Sequence, residues 1–230
     1  MERYRVKMAA AWVRGQAMET GVPQLPVGFL NKALDDLTER ELNFILRQGE
    51  VAGLKLYHFK ADKELLPRVR RVLGFLRGIE FRDLMDVGSG RGVCLLPFLE
   101  AFPGVPVFSV EQQSKWVKFM QALGLGGFDQ LTATCVDYCQ NPFCENIADV
   151  VTMLEVLEHM PQPELAVAAA VKNARKYVIV SVPSKEDDNP EHIHLLTKEK
   201  LTRMFHEAGC TRLHFDGVNG HLILFAAVDQ

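Results

Sequence analysis

The chain has 230 residues, of which 48% are hydrophobic and 24% are charged, and its formal net charge is −3. These values fit a globular domain with a full core and room for a helical extension. The chain as a whole lacks the excess of basic residues that is typical of nucleic-acid-binding proteins. If it binds a nucleic acid, we expect a local basic patch to make the contact. None of the five cysteines forms a C-x-x-C pair. Neither a zinc ribbon nor a disulfide framework is therefore expected, and a reducing cytosol is the predicted compartment.

No targeting or membrane segment is expected. The apolar run at residues 8–13 follows basic residues, but it is short and Arg14 interrupts it, so it does not fit a signal peptide. The apolar run at residues 165–171 is far too short to cross a bilayer. The sequence therefore predicts a soluble cytoplasmic protein without a membrane partner.

Residues 1–80 are predicted to form a helical extension without glycine-loop chemistry. Thr38 and Glu41 have the spacing of a capping box and predict that a helix begins there. A second helix is expected over residues 62–77, with one apolar stripe along it. This second helix contains four arginines: Arg68, Arg70, Arg71 and Arg77. They indicate either a solvated face or a contact for an anionic acceptor or an RNA backbone.

From residue 81 onward, predicted strands and helices alternate. Strands are expected at 82–87, 105–110, 131–136, 149–154 and 177–182, and helices at 93–102, 112–123, 163–175 and 198–208. The helix at 112–123 has an apolar stripe at helical spacing that is expected to pack in the core: Trp116, Phe119, Met120 and Leu123. Two last strands are expected at 212–215 and 221–228, and both Asp216-Gly217 and Asn219-Gly220 are hairpin signals between them. This order predicts a mostly parallel sheet that ends in an antiparallel pair.

The stretch around which the other elements are organised reads L-M-D-V-G-S-G-R-G over residues 84–92. It predicts a buried strand, a turn with three glycines at alternate positions, and then a helix. Glycine lacks a Cβ and tolerates positive φ, so such a turn lets the backbone approach a nucleotide-like ligand at the carboxyl edge of an α/β sheet. A dinucleotide fingerprint would place its third glycine at position 93, where the chain has Val93.

The pattern D-x-G-x-G-x-G, with Asp86 two residues before Gly88, resembles the first motif of the class I S-adenosylmethionine-dependent methyltransferases. The resemblance implies an α/β fold with a Rossmann-like, seven-stranded, mostly parallel sheet, a C-terminal antiparallel hairpin and helices on both faces. Residues 81–230 would form this S-adenosylmethionine-binding domain. Residues 1–80 would then cover its acceptor side.

The same resemblance implies a set of cofactor-binding residues. Glu111 ends the second strand, where an acid can accept hydrogen bonds from both ribose hydroxyls. Asp137 follows the third strand and would accept from the exocyclic amine of adenine, with Val136 and Tyr138 along the ring. The full set is Asp86, Gly88, Ser89, Gly90, Glu111, Gln112, Val136, Asp137, Tyr138, Leu154 and Glu155.

The run E-V-L-E-H at residues 155–159 follows the fourth strand. It resembles the fourth motif of the ubiquinone-biosynthesis type of methyltransferase. In such enzymes the backbone after this strand flanks the methionine part of the cofactor. The resemblance therefore places Leu154 and Glu155 beside the methionine tail.

If this run forms a helical turn, Glu155, Glu158 and His159 share one face. Together with His192 they resemble the Mg²⁺ or Mn²⁺ ligands of the small-RNA 3′-end ribose 2′-O-methyltransferases. Those enzymes continue with an aromatic-acid-aromatic run, where this chain has Leu195-Leu196. Metal-free relatives carry E-V-L-E-H as well, so a site without metal is the leading interpretation and a metal is the lesser hypothesis.

Methyl transfer is an in-line displacement, so the protein must mainly align the acceptor and exclude water, and a hydroxyl acceptor also needs a base. The predicted catalytic residues are Glu158, His159 and His192, and either histidine could be that base or could only shape the acceptor pocket. The other histidines are expected to be structural: His58, His206, His214 and His221.

The predicted function is S-adenosylmethionine-dependent methylation of an O, N or C atom of a small molecule or RNA. Two alternatives stay open: a cofactor-binding regulatory subunit without catalysis, and a nicotinamide oxidoreductase. No motif indicates the acceptor or the oligomeric state.

Overall fold

The computed structural model describes residues 3–59, 66–140, 143–186 and 188–228. Its helices are α1 (Arg3–Thr20), α2 (Val27–Asn31), α3 (Glu39–Val51), α4 (Pro67–Arg77), α5 (Leu95–Ala101), α6 (Ser114–Leu125), α7 (Pro163–Asn173) and α8 (Lys198–Glu207). Its strands are β1 (Leu84–Val87), β2 (Val107–Glu111), β3 (Leu131–Cys135), β4 (Ala148–Leu154), β5 (Ala174–Pro183), β6 (Arg212–Val218) and β7 (His221–Ala227). Short 3₁₀ turns occupy Leu34–Asp36, Leu56–Phe59 and Leu157–His159. Among these described residues, no helix combines the length and the apolar character that a membrane span requires.

The chain forms two compact units, each assembled from two segments. The first contains Met1–Glu64 and Gln113–Ala133, and the second contains Leu65–Gln112 and Thr134–Gln230. Helix α6 therefore belongs with the N-terminal helices, whereas α4 belongs with most of the sheet. The boundary expected at residue 80 does not coincide with this division.

In the first unit, α1 and α6 lie so close together that their contact requires glycine. A Cβ added to Gly15 would lie 1.8 Å from the carbonyl O of Ala122, and one added to Gly126 would lie 1.7 Å from the carbonyl O of Ala11. Any side chain at either position would overlap backbone, so the absent Cβ is what permits this approach.

The capping box predicted at α3 is confirmed. Thr38 Oγ1 accepts from the backbone N–H of Glu41 at 3.3 Å, and Glu41 Oε2 accepts from the backbone N–H of Thr38 at 2.7 Å. Helix α4 begins with Pro67 in its first turn, as predicted. The residues at 62–65, which were expected to start this helix, lie outside the described part of the chain. The predicted apolar stripe of α4 is buried: Val69, Val72, Leu73 and Leu76.

The seven strands form one sheet in the order β3-β2-β1-β4-β5-β7-β6. Strand β1 pairs in parallel with β2 and β4, while β7 pairs in antiparallel with β5 and β6. The predicted fold class is therefore confirmed. The strand order reverses between β1 and β4, and ligands of open α/β sheets bind at the carboxyl ends of strands beside such a reversal.

In the second unit, helices cover both faces of the sheet. Phe75 of α4 stacks on Phe225 with ring centroids 4.3 Å apart and meets Tyr177 edge-on at 5.4 Å. Helices α7 and α8 join a core cluster that includes Val178 and Val180 of β5. Because alternate residues of a strand point to opposite faces, α4 lies on one side of the sheet and α7 and α8 on the other.

Two local expectations are corrected. Asn219 and Gly220, with φ of 43° and 83°, turn the chain between β6 and β7, whereas Asp216 and Gly217 lie within β6 and pair with β7. The apolar stripe of α6 is buried as predicted except at Trp116, which is only half-buried.

Candidate functional site

The turn after β1 is built from three glycines with positive φ. Gly88, Gly90 and Gly92 have φ of 71°, 50° and 78°, a region that residues with a Cβ rarely adopt. A Cβ added to Gly88 would also lie 2.5 Å from Cγ2 of Val156. Since Val156 follows β4, this glycine lets the segments after two neighbouring strands pack against each other.

Asp86 lies beneath the turn and is 5% exposed. Burial raises the pKa of Asp86 to about 6, although hydrogen bonds from Thr152 and Ser89 oppose the rise. The Thr152 hydroxyl donates to Asp86 Oδ1 at 2.6 Å. The Ser109 hydroxyl donates to Ser89 Oγ at 2.8 Å, so the same polar network reaches β2. A buried carboxyl with a raised pKa at a strand end is a candidate functional group.

Glu111 ends β2 and is 6% exposed. Its Oε2 accepts from the backbone N–H of Gly90 at 2.8 Å, which ties the end of β2 to the glycine turn. Its carbonyl O accepts from the backbone N–H of Val136 at 3.1 Å, which brings the residue after β3 to the same edge. Gln112, the next residue, is exposed. The ends of the first three strands, which the sequence implicates in cofactor binding, therefore lie together.

The loop after β3 makes contacts of its own at the positions that the sequence assigns to adenine. Asp137 is half-buried, and its Oδ1 accepts from the backbone N–H of Cys139 at 3.1 Å, so it stabilises the loop. Tyr138 is 3% exposed, and its hydroxyl donates to Oδ1 of Asn173 at 2.6 Å. Burial raises the pKa of Tyr138. Its ring packs in the core cluster, and its place along the adenine ring stays a prediction. Val136 stays half-buried at the loop.

Glu155 leaves β4 with a φ of 59°, a rare value for a residue with a Cβ. The Ser181 hydroxyl donates to Glu155 Oε1 at 2.7 Å, and Nδ1 of His221 lies 3.0 Å from Oε2. Nη1 of Arg68 lies 3.3 Å from Nε2 of His221, and Nε of Arg68 lies 3.9 Å from Glu155 Oε1. Backbone strain of this kind persists only where the surroundings fix it, and it is frequent at functional sites.

These contacts correct two further expectations. The predicted helical turn is a 3₁₀ turn that begins only at Leu157. Glu155 therefore lies apart from Glu158 and His159, and it is not one of the grouped potential metal ligands in the described part of the chain. His221, which was expected to be only structural, is joined to Glu155.

Glu158, His159 and His192 converge at the carboxyl edge of the sheet. Glu158 is fully buried, and its carbonyl O accepts from the backbone N–H groups of Ile193 at 2.9 Å and His194 at 3.3 Å. These bonds hold the loop after β5 against the turn after β4. The ring centroids of His159 and His192 are 4.8 Å apart. One potential ligand atom from each of the three residues lies within 4.8 Å of the others.

The hydrogen-bond partner of His159 determines which of its ring nitrogens carries the proton. Nδ1 lies 2.9 Å from the carbonyl O of Glu191. A carbonyl oxygen only accepts, so the proton of a neutral His159 ring is on Nδ1 and the lone pair is on Nε2. Nε2 is therefore the atom that can take a proton or bind a cation.

One carboxylate and two imidazoles form a donor set that suits a borderline divalent ion such as Mn²⁺ or Zn²⁺. Two ligands on opposite sides of an ion, with bonds of about 2.1 Å, are about 4.2 Å apart. The side chains of Glu158, His159 and His192 would therefore have to close around an ion. His159 is exposed and His192 is half-buried, so both rings have room to turn.

Sequence reasoning missed the contacts that Arg68 and His221 make with Glu155 and the hydrogen bond between Thr152 and Asp86. It treats Arg68 only as one of four arginines on a helix. All three contacts join segments that are distant in sequence, and no local motif signals such contacts.

A glycine turn, an acid at the end of the next strand and a strand order that reverses beside them define a Rossmann-like, nucleotide-binding sheet. Residues 57–214 match the family described as "Methyltransferase domain". The chain belongs to this methyltransferase-domain family, which confirms the family resemblance seen in the D-x-G-x-G-x-G motif.

Curated relatives include the ribosomal RNA small subunit methyltransferase G of two Dehalococcoides mccartyi strains, each 30% identical to the chain over 133 residues. The match covers 56% of this chain and 54% of the relative. The chain thus spans about half the length of these relatives.

Solved structures share the fold at low identity. Magnesium protoporphyrin IX methyltransferase from Synechocystis PCC 6803 with bound SAH has a TM-score of 0.58 and 16% identity, over 94% of this chain and 98% of that one. A SAM-dependent methyltransferase from Aquifex aeolicus has a TM-score of 0.55 and 16% identity, over 70% of this chain and 97% of that one. At such identities the likeness establishes the fold alone.

Proposed function

We propose that the protein transfers a methyl group from S-adenosylmethionine to an O, N or C atom of an acceptor. The observation that carries this proposal is the 2.8 Å hydrogen bond from the Gly90 N–H to Glu111 Oε2, because it sets a carboxylate beside a turn of positive-φ glycines. Membership of the methyltransferase-domain family supports the same function. The name of the curated relatives makes RNA the first acceptor class to test, with small molecules second.

The three parts of the cofactor would each meet a different strand end. The ribose hydroxyls would donate to Glu111, and the methionine tail would lie against the glycine turn and the backbone at Leu154 and Glu155. The adenine would lie near Val136, with its amine directed to Asp137. In this arrangement the sulfonium methyl faces the edge where β1 and β4 end.

The transfer itself needs little covalent chemistry from the protein. The acceptor atom attacks the methyl carbon in line, the carbon–sulfur bond breaks, and its electron pair stays on sulfur to give neutral S-adenosylhomocysteine. An acceptor hydroxyl or N–H loses its proton in the same event or just after it. Nε2 of His159 would take this proton, because Nδ1 is directed to Glu191 and Nε2 carries the lone pair.

Glu158 and His192 would orient and support that base. The Glu158 carbonyl fixes the loop that carries His192, and the two imidazoles are 4.8 Å apart. If Glu158, His159 and His192 hold a divalent ion, the ion would supply Lewis-acid activation of an acceptor oxygen. In either case these residues would act on the acceptor side of the site.

Two assays test the proposal. S-adenosylhomocysteine should raise the melting temperature of the protein, whereas NAD should not, and Glu111→Ala should reduce the rise. Methyl-labelled S-adenosylmethionine, incubated with protein and total RNA or with a small-molecule extract, should label one of them. A shift with NAD alone would contradict the proposal. Cofactor binding without labelling of any acceptor would instead support a non-catalytic subunit.

A further inference from the structure

The first unit exposes an ordered group of aromatic side chains that the proposed chemistry does not use. We propose that this group, the aromatic platform of Tyr57, His58 and Trp116, stacks against unpaired bases of a single-stranded nucleic acid. The inference concerns binding by the first unit and goes beyond methyl transfer.

Tyr57 forms the outer surface of the platform. Its side chain is 60% exposed, which is a high value for a large aromatic residue. Its ring lies against the ring of His58, with centroids 3.8 Å apart. One face of Tyr57 is thus supported and the side chain remains accessible, which is what a stacking partner requires.

The platform rests on a second, buried layer of rings. Within the platform His58 meets Trp116 edge-on, with centroids 5.6 Å apart, and it also meets Phe119 of the buried layer edge-on at 5.7 Å. Phe119 stacks on Phe59 at 5.6 Å, and Phe59 is 1% exposed. Side chains that are already held in place lose little conformational freedom on binding, so more of the stacking free energy appears as affinity.

The charges in the two segments that carry the platform favour a polyanion over an apolar protein partner. The ammonium of Lys115 lies 5.0 Å from the centroid of the Trp116 ring. Lys55 and Lys118 are also exposed. The segments 54–59 and 113–121, which contain the platform and these lysines, have no acidic residue. Aromatic rings interleaved with lysines combine base stacking with phosphate contacts.

Binding of a labelled, unstructured 12-nucleotide RNA to the full chain at low salt tests the inference by fluorescence anisotropy. We expect Tyr57→Ala to weaken binding roughly 5- to 100-fold, in line with the loss of one stacked base. Tyr57→Phe keeps the ring and should bind within about twofold of the wild type. Phe44→Ala is the matched control, since Phe44 is an exposed aromatic residue of the same unit, 40% exposed.

Intrinsic fluorescence locates the contact. The chain has two tryptophans, Trp12 and Trp116. RNA should quench the emission of the wild type, and most of this quenching should disappear in Trp116→Phe. Equal affinity for a fully paired duplex, an unchanged affinity of Tyr57→Ala with its fold intact, or no RNA binding at all would overturn the inference. Since no cofactor or turnover enters the measurement, its failure is distinct from failure of the proposed methyl transfer.

Discussion

The backbone N–H of Gly90 donates to Oε2 of Glu111 at 2.8 Å, so the turn after β1 and the acid at the end of β2 hold each other in place. The acid is thereby fixed before any ligand arrives. A preorganised carboxylate loses little freedom when it accepts hydrogen bonds from a diol, which favours tight and specific binding.

Replacement of Glu111 by alanine should remove this acceptor. A hydrogen bond to a charged group contributes about 1.5–3 kcal/mol, so Glu111→Ala should weaken S-adenosylhomocysteine binding by at least about tenfold. Isothermal titration calorimetry measures the change. Glu199→Ala, at an exposed glutamate in the first turn of α8, is the control and should bind like the wild type. Equal affinities in the two variants would remove Glu111 from the cofactor site.

Gly88 should be far less tolerant of alanine than another glycine with positive φ. Gly88 has a φ of 71° and its added Cβ would overlap Val156, whereas Gly104 has a φ of 82° and nothing within 4 Å of its added Cβ. Gly104→Ala therefore reports backbone strain alone, about 1 kcal/mol. Gly88→Ala adds a steric overlap, and urea unfolding should show a loss larger by about 1–3 kcal/mol. A similar loss in both variants would show that the contact with Val156 is dispensable.

These two sites show which features the sequence could predict. The glycine turn, the capping box of Thr38 and the Asn219-Gly220 turn were predictable because each depends on a few neighbouring residues. The pairing of Glu155 with His221 was not, since it depends on the register between β5 and β7. The hydrogen bond from the Tyr138 hydroxyl to Asn173 was not predictable for a similar reason: Asn173 lies at the end of α7, and nothing in the loop sequence shows that helix nearby.

Asp86 should make stability fall as the pH rises. Burial raises the folded-state pKa of Asp86 from 3.8 to about 6. Between these values the folded state binds more protons than the unfolded state, so the free energy of unfolding decreases with rising pH. The contribution from Asp86 is fully present below about pH 4 and is lost by about pH 6, with a size of ~3 kcal/mol.

Substitution by asparagine tests this assignment. Asp86→Asn has nearly the same shape and can still accept from Thr152, but it does not titrate. Urea unfolding at pH 4.5 and pH 7 should show that the stability of Asp86→Asn relative to the wild type is higher at pH 7. Asp188→Asn, at an exposed aspartate, should show no such difference. A parallel pH dependence in the wild type and Asp86→Asn would mean that Asp86 stays ionised throughout.

His159→Ala should lower methyl transfer by at least about 100-fold, the usual contribution of a positioned acid or base, and Glu158→Gln and His192→Ala should also lower it. Binding of S-adenosylhomocysteine should stay within about twofold, because none of the three residues is assigned to the cofactor. His206→Ala, on α8 and exposed, is the matched histidine control. Unchanged turnover in all three variants would refute their catalytic role.

Metal content separates the two ways in which these three residues can act. If they hold a divalent ion, Mn²⁺ titration should give one site per chain by calorimetry, and His159→Ala or His192→Ala should abolish it while His206→Ala retains it. Chelation should then remove activity, and Mn²⁺ should restore it. If Nε2 of His159 acts alone as the base, chelation has no effect on activity.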